Sequence, residues 1–137
     1  MAEKHPKGLR GNPKVEKYGL LALKFLASLV FLGAGLAKLA GAEMMIHTFD
    51  SIGIGQWFRY ATGIIEAGSA VLLFVPQLQL IGAILLACTM VGAIIAHLFI
   101  IGGSAIPGVI LLVIVLTIAY AHRKQLNNLY PRSLSSS

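Results

Sequence analysis

Long apolar runs alternate with short polar connections along this chain, and the lengths of the runs predict its secondary structure. The runs cover residues 18–40, 58–75, 80–101 and 104–121. A helix of about 20 apolar residues crosses the ~30 Å hydrocarbon core of a bilayer. The pattern therefore predicts an all-α polytopic membrane protein, and its short connections favour an antiparallel bundle of four transmembrane helices.

Composition supports this class. The chain is 57% hydrophobic and 12% charged, whereas a soluble domain carries about 25% charged residues. A nucleic-acid-binding function is a poor fit, because no soluble module remains to carry it. Cys88 is the single cysteine, so neither an internal disulfide nor a CxxC redox pair can form.

Charge predicts the orientation. The net charge is +6, and most lysines and arginines flank the apolar block. Residues 1–17 form a basic tail and residues 122–137 a polar tail that we expect to be disordered. Because lysine and arginine are enriched on the cytoplasmic flanks of membrane spans, both termini are expected in the cytoplasm.

The longest connection, residues 41–57, is expected to lie on the outer side. It mixes acidic and histidine residues, among them His47 and Asp50, with methionine, isoleucine and phenylalanine. This mixture predicts a short amphipathic interfacial segment that ends in a turn at Gly53–Gly55.

A carboxylate lies inside the second apolar run. Arg59, Thr62, Glu66 and Ser69 share one face at helical spacing. An intramembrane charge costs about 2.5–3.5 kcal/mol on insertion scales. Glu66 is therefore expected to face protein, water or a positive partner.

Depth groups the polar residues near one membrane surface. Helical rise puts Glu66 roughly 13 Å, and His97 about 6 Å, below the outer surface. Lys38 and Arg59 lie at the outer boundary. We expect one polar site opening outward, in which Glu66 and His97 meet directly or through one water.

Other interpretations of these residues stay open. Glu66 can neutralise Lys38 or Arg59 and fix the helix register, and His97 can hydrogen-bond a backbone carbonyl. A ligand site is a further alternative, with His47 and Asp50 as weaker contributors. No metal site is predicted, because the histidines and acids lack the usual ligand spacing, and no residue is assigned a catalytic role.

Three segments carry a family resemblance. They are the FLGAGLAKL sequence at 31–39, the GIIEAG sequence at 63–68 and the GAIIAHL sequence at 92–98. In order and spacing they resemble the DoxX/DoxX-like family of small four-helix integral membrane proteins, over roughly residues 20–121. The resemblance implies a location in the inner membrane. Lys38, Glu66 and His97 occupy the corresponding motif positions.

The resemblance implies a function. Some relatives are subunits of membrane oxidoreductases that pass electrons from sulfur compounds to quinone, and others are partners in oxidative-stress complexes. It implies an accessory or quinone-site subunit without catalytic activity of its own, with quinone as the candidate cofactor. The expected partners are the bilayer and other membrane subunits or further copies of the chain. A small carrier for a hydrophobic or weakly acidic molecule and a purely structural or assembly protein remain alternatives.

Overall fold

The structure, a computed structural model, describes residues 12–129. Its five longer helices are α1 (Pro13–Ala40), α2 (Glu43–Ile52), α3 (Gln56–Leu72), α4 (Gln79–Ala96) and α5 (Ile106–Ala121). A π-helical turn, His97–Ile101, extends α4. A 3₁₀ turn, Arg123–Gln125, and the short helix α6 (Leu126–Leu129) follow α5. No strand occurs in this part of the chain, so the predicted all-α class is confirmed.

The first helix begins earlier than the apolar run. The side chain of Asn12 accepts a hydrogen bond from the backbone N–H of Lys14 at 3.0 Å, and Pro13 occupies the first turn. Both features favour helix initiation. Residues 13–17, predicted as part of the basic tail, are therefore helical, while residues 1–11 lie outside the described part.

Turn residues shift the other boundaries. α3 spans Gln56–Leu72 instead of 58–75, and the following turn contains Gln77 at φ 69°. α5 starts at Ile106, not 104, because the Ser104 hydroxyl accepts the backbone N–H of Ile106 in the turn. The predicted amphipathic segment is helical as α2, and Gly53 ends it in a left-handed conformation.

The prediction that the polar C-terminal stretch is disordered is wrong for residues 123–129. Residues 123–129 are helical where disorder was expected. Hydrogen bonds between Gln125 and the first two residues of α4 hold this segment in place. The sequence pattern did not predict these bonds. Residues 130–137 lie outside the described part of the chain.

The core lies where the long helices meet. α1 packs mainly on α3 and α4 mainly on α5, while α3 also contacts α4 and α1 also contacts α5. α2 packs on α3 and on the π-helical turn. Phe31, Leu73, Leu86, Val115 and Ile118 are fully buried at this centre.

The outer surface of the helices is apolar. Leu29, Leu98 and Val113 are 62%, 64% and 57% exposed. Soluble monomers rarely expose large continuous apolar surfaces, and lipid would cover these. Within residues 12–129, two helices, Pro13–Ala40 and Gln79–Ile101, are long and apolar enough to cross a membrane, and the apolar α5 is shorter.

Candidate functional site

The candidate site is built on a close helix contact between α1 and α3. A Cβ atom at Gly35 would lie 2.8 Å from both the Ala67 nitrogen and the Gly63 oxygen, and one at Gly63 would lie 3.0 Å from the Gly35 oxygen. Side chains larger than hydrogen therefore cannot fit without moving backbone. The Ser28 hydroxyl also donates to the Ala70 carbonyl at 3.0 Å. Small residues and one interhelical hydrogen bond thus fix how α1 lies on α3.

An ion pair joins the same two helices. Lys38 Nζ donates to Glu66 Oε2 at 2.8 Å, with the two side chains 13% and 4% exposed. Glu66 therefore faces a positive partner inside the protein, as its position in an apolar run required. Removing either partner would leave a buried charge uncompensated. We refer to these two residues as the Lys38–Glu66 pair.

Arg59 is buried beside the pair but bonds elsewhere. Its Nη1 donates to the Lys38 carbonyl, and its Nε donates to Gln56 Oε1 at 2.7 Å. The Lys38 carbonyl belongs to the last turn of α1, where it also accepts the backbone N–H of Gly41 at 3.3 Å. The guanidinium also stacks over the Tyr60 ring, 4.3 Å from its centroid. Arg59 therefore caps the end of α1 from α3.

Gln56 extends the site to α2. The sequence pattern did not single out this residue. Its Nε2 donates to Asp50 Oδ1 at 2.7 Å and to the Ile46 carbonyl at 3.1 Å. A continuous chain of hydrogen bonds thus runs from exposed Asp50 through Gln56 and Arg59 to Lys38. The available signal was the spacing of Gln56, one helical turn before Arg59.

His97 does not join this network. Its Nδ1 lies 3.0 Å from the carbonyl oxygen of Gly102. His97 is the first residue of the π-helical turn, and Gly102 is the residue that ends it. The described residues show no direct hydrogen bond between His97 and Glu66, so the direct form of the expected contact is absent. The local carbonyl satisfies the imidazole instead, which was the alternative considered for it.

Of the two weaker candidates, Asp50 and His47, only Asp50 joins the network. Asp50 belongs to the hydrogen-bond chain, whereas His47 is exposed on α2. Within residues 12–129, no group of three or more histidine, cysteine, aspartate or glutamate side chains is arranged to hold a metal ion. The Ser69 hydroxyl, one turn from Glu66, is buried and has no hydrogen-bond partner in this part of the chain.

The three motifs, at 31–39, 63–68 and 92–98, lie within a part of the chain that matches a known protein family. Residues 22–122 match the sequence profile of the DoxX-like family. The chain belongs to the DoxX-like family. The predicted resemblance is therefore confirmed, and with the apolar helix surfaces it makes the chain a DoxX-like membrane protein.

This DoxX-like protein is similar in sequence to a bacterial protein named as an oxidoreductase. The chain is 36% identical over 77 residues to "Putative oxidoreductase CatD" of Bacillus subtilis (strain 168). The match covers 56% of this chain and 58% of the relative, so it spans little more than half of each. No solved structure matches the chain.

Proposed function

We propose that this DoxX-like protein is a four-span subunit of an inner-membrane oxidoreductase complex, without catalytic activity of its own. The relative named as an oxidoreductase supports the redox setting. The apolar outer surfaces of the helices support placement in a bilayer, with α1, α3, α4 and α5 as the spans of a domain over residues 18–121. The flanking tails would lie in the cytoplasm.

Reporter fusions test the topology part of the proposal. Fusions at Ser137 and near Pro76 should be active in the cytoplasm, and fusions at Ser51 and Gly103 should be active outside. α3 is the decisive span, because it has 17 residues and carries Arg59 and Glu66. An exported C-terminal reporter would contradict the four-span arrangement.

The observation that carries the site proposal is the buried Lys38–Glu66 pair. We infer that Lys38 offers its ammonium to a carbonyl oxygen of a quinone headgroup, while Glu66 orients that ammonium. Lys38 suits contact with a ligand better than Glu66, since its side chain is 13% exposed against 4%. The donor set fits this ligand, because a quinone presents two acceptor oxygens and an ammonium is a donor only.

A quinone held here would supply electron-accepting chemistry to the complex. The chain's own contribution would be to hold the headgroup at Lys38 Nζ. The hydrogen-bond chain from Asp50 through Gln56 to Arg59 would keep the end of α1 fixed while Lys38 changes partner.

Purification with native lipids tests this function. The tagged full-length chain would be solubilised gently from its own membrane, and mass spectrometry would identify copurifying proteins and extracted quinones. We expect a redox subunit and quinone with the wild type, and several-fold less quinone with Glu66→Gln at equal protein yield. Glu43→Gln is the matched control, because Glu43 is exposed on α2.

One observation favours a second candidate, a purely structural or assembly role. Lys38, Glu66 and Arg59 already bond to groups of this chain. If Glu66→Gln leaves bound quinone unchanged while lowering the amount of copurifying subunit, the pair serves assembly. If neither redox subunit nor quinone copurifies with the wild type, the oxidoreductase proposal is wrong.

A further inference from the structure

A second polar cluster lies at the opposite ends of the helices, on the side that the basic flanks predict to be cytoplasmic. Lys24 Nζ of α1 lies 3.5 Å from His122 Nε2, just after α5. His122 Nδ1 lies 3.4 Å from Gln125 Nε2. Gln125 in turn donates to Gln79 Oε1 at 2.6 Å and accepts the backbone N–H of Leu80 at 3.0 Å. We name these five residues the C-terminal latch.

Gln125 acts as a remote cap for α4. Leu80 is the second residue of that helix, where a backbone N–H has no intrahelical acceptor. A side chain 45 residues further along the chain supplies the acceptor. The Arg123–Gln125 turn is therefore tied to α4, and through His122 it is also tied to α1.

The contact with Lys24 depends on the charge of His122. A lysine ammonium is only a donor, so His122 Nε2 must accept, and it can do so only in the neutral imidazole. Protonation would turn that nitrogen into a donor and would bring two positive charges within 3.5 Å. Movement of the His122 side chain would reach the turn through the backbone, because the His122 carbonyl accepts the backbone N–H of Gln125 at 3.0 Å.

The charges around the latch all oppose protonation. Lys24 faces His122 from α1, and Arg123 and Lys124 follow it along the chain, while α4 contributes uncharged Gln79. Arg123 stacks on Tyr120, 4.0 Å from its ring centroid, and donates to its carbonyl. No carboxylate of residues 12–129 bonds to the latch. Burial, together with the charge of Lys24, lowers the pKa of His122 below its usual 6.5.

We propose that the C-terminal latch is a proton-operated switch, in which neutral His122 holds the Arg123–Gln125 turn on α1 and α4 and protonated His122 releases it. The sign follows from the preference of the closed form for the neutral ring: the closed latch is favoured above the ordinary pKa of histidine and is progressively destabilised as the pH falls below it. Release uncaps α4 and frees the basic turn at the membrane surface. This switch does not depend on the proposed redox function.

Nuclear magnetic resonance on the full-length chain in zwitterionic nanodiscs tests the switch. Amide exchange of Leu80 reports the cap, and the ring signals of His122 report its titration. After correction for intrinsic exchange, protection of Leu80 should fall by up to about tenfold per pH unit across the His122 titration, because one proton is linked to opening. Protection that stays constant while His122 titrates would overturn the proposal.

Two variants separate the parts of the switch. His122→Gln keeps an oxygen that can accept from Lys24 but cannot titrate, so Leu80 protection should become independent of pH. Lys24→Met removes the facing charge and keeps an unbranched side chain, so the His122 midpoint should move to higher pH. His47→Gln, on exposed α2, is the control and should change neither readout.

The opposite outcomes are equally clear. A pH-dependent Leu80 in His122→Gln would mean that another group operates the cap. An unchanged His122 midpoint in Lys24→Met would mean that Lys24 does not face the ring. If His122→Gln does not accumulate as folded protein, the wild-type chain decides, because its two titrations must coincide.

Discussion

The α1–α3 contact and the α4–α5 contact are the two largest helix interfaces, and they are built differently. Backbone approach at Gly35 and Gly63, the Ser28 hydrogen bond and the Lys38–Glu66 pair connect α1 to α3. Apolar side chains fill the α4–α5 interface, and no side-chain hydrogen bond between those two helices occurs in residues 12–129.

The difference teaches where specificity resides. Lipid tails are as apolar as leucine, so apolar contacts alone give two helices little reason to prefer each other over lipid. Close backbone contact and paired polar groups are directional, and they select one register. We therefore regard α1–α3 as the interface that sets the arrangement and α4–α5 as the more tolerant one.

Reversal of the charge at Glu66 should have the largest effect, because it disrupts the α1–α3 interface. Glu66→Lys places a second ammonium against Lys38 in a buried position, and loss of a buried pair costs about 3–5 kcal/mol before any repulsion. We expect no folded protein to accumulate, as judged by size-exclusion chromatography after gentle solubilisation. Glu43→Lys, on exposed α2, should accumulate normally. Equal yields of both variants would show that Glu66 faces lipid headgroups or water.

Gly35→Ala should have the next largest effect. The new Cβ would lie 2.8 Å from backbone atoms of α3, which cannot move as a side chain can. Overpacking of this kind costs about 1–3 kcal/mol, measurable as a loss of unfolding free energy in mixed micelles. Gly33→Ala is the matched control, because a Cβ there meets nothing within 4 Å. Equal stability of the two variants would refute the close contact.

Gly108→Ala in α5 should have the smallest effect. Its Cβ would lie 3.1 Å from Cγ1 of Ile94, a side-chain atom of α4 that can shift by a few tenths of an ångström. The expected loss of unfolding free energy is at most about 1 kcal/mol. A loss as large as that of Gly35→Ala would remove the proposed difference between the two interfaces.

The sequence predicted those features that follow from local pattern. Apolar runs located α1, α4 and α5, because helix length and hydropathy are properties of a single segment. The buried charge of Glu66 demanded a partner, and topology limited the candidates to Lys38 and Arg59. Helix ends were less accurate, since caps such as Asn12 and turns such as Gln77 act at single residues.

Features that depend on distant contacts escaped prediction. In the sequence, Gln56 belongs to the connection before the second apolar run. It joins Asp50 to Arg59 only because α2 packs against α3. His97 was paired with Glu66 from their estimated depths in neighbouring spans, whereas the Gly102 carbonyl faces its Nδ1 at 3.0 Å. The helical stretch after α5 rests on contacts between Gln125 and α4, which no local pattern records.

The most direct test of the account is a double-mutant cycle on the Lys38–Glu66 pair. Unfolding free energies would be measured in the same mixed micelles for Lys38→Met, Glu66→Gln and the double variant. Glu66→Gln should lose stability but keep the fold, because its amide oxygen can still accept from Lys38 and it adds no positive charge. We predict that the double variant loses less stability than the sum of the singles, with a coupling of about 0.5–3 kcal/mol. Strictly additive losses would contradict the claim that this pair joins α1 to α3.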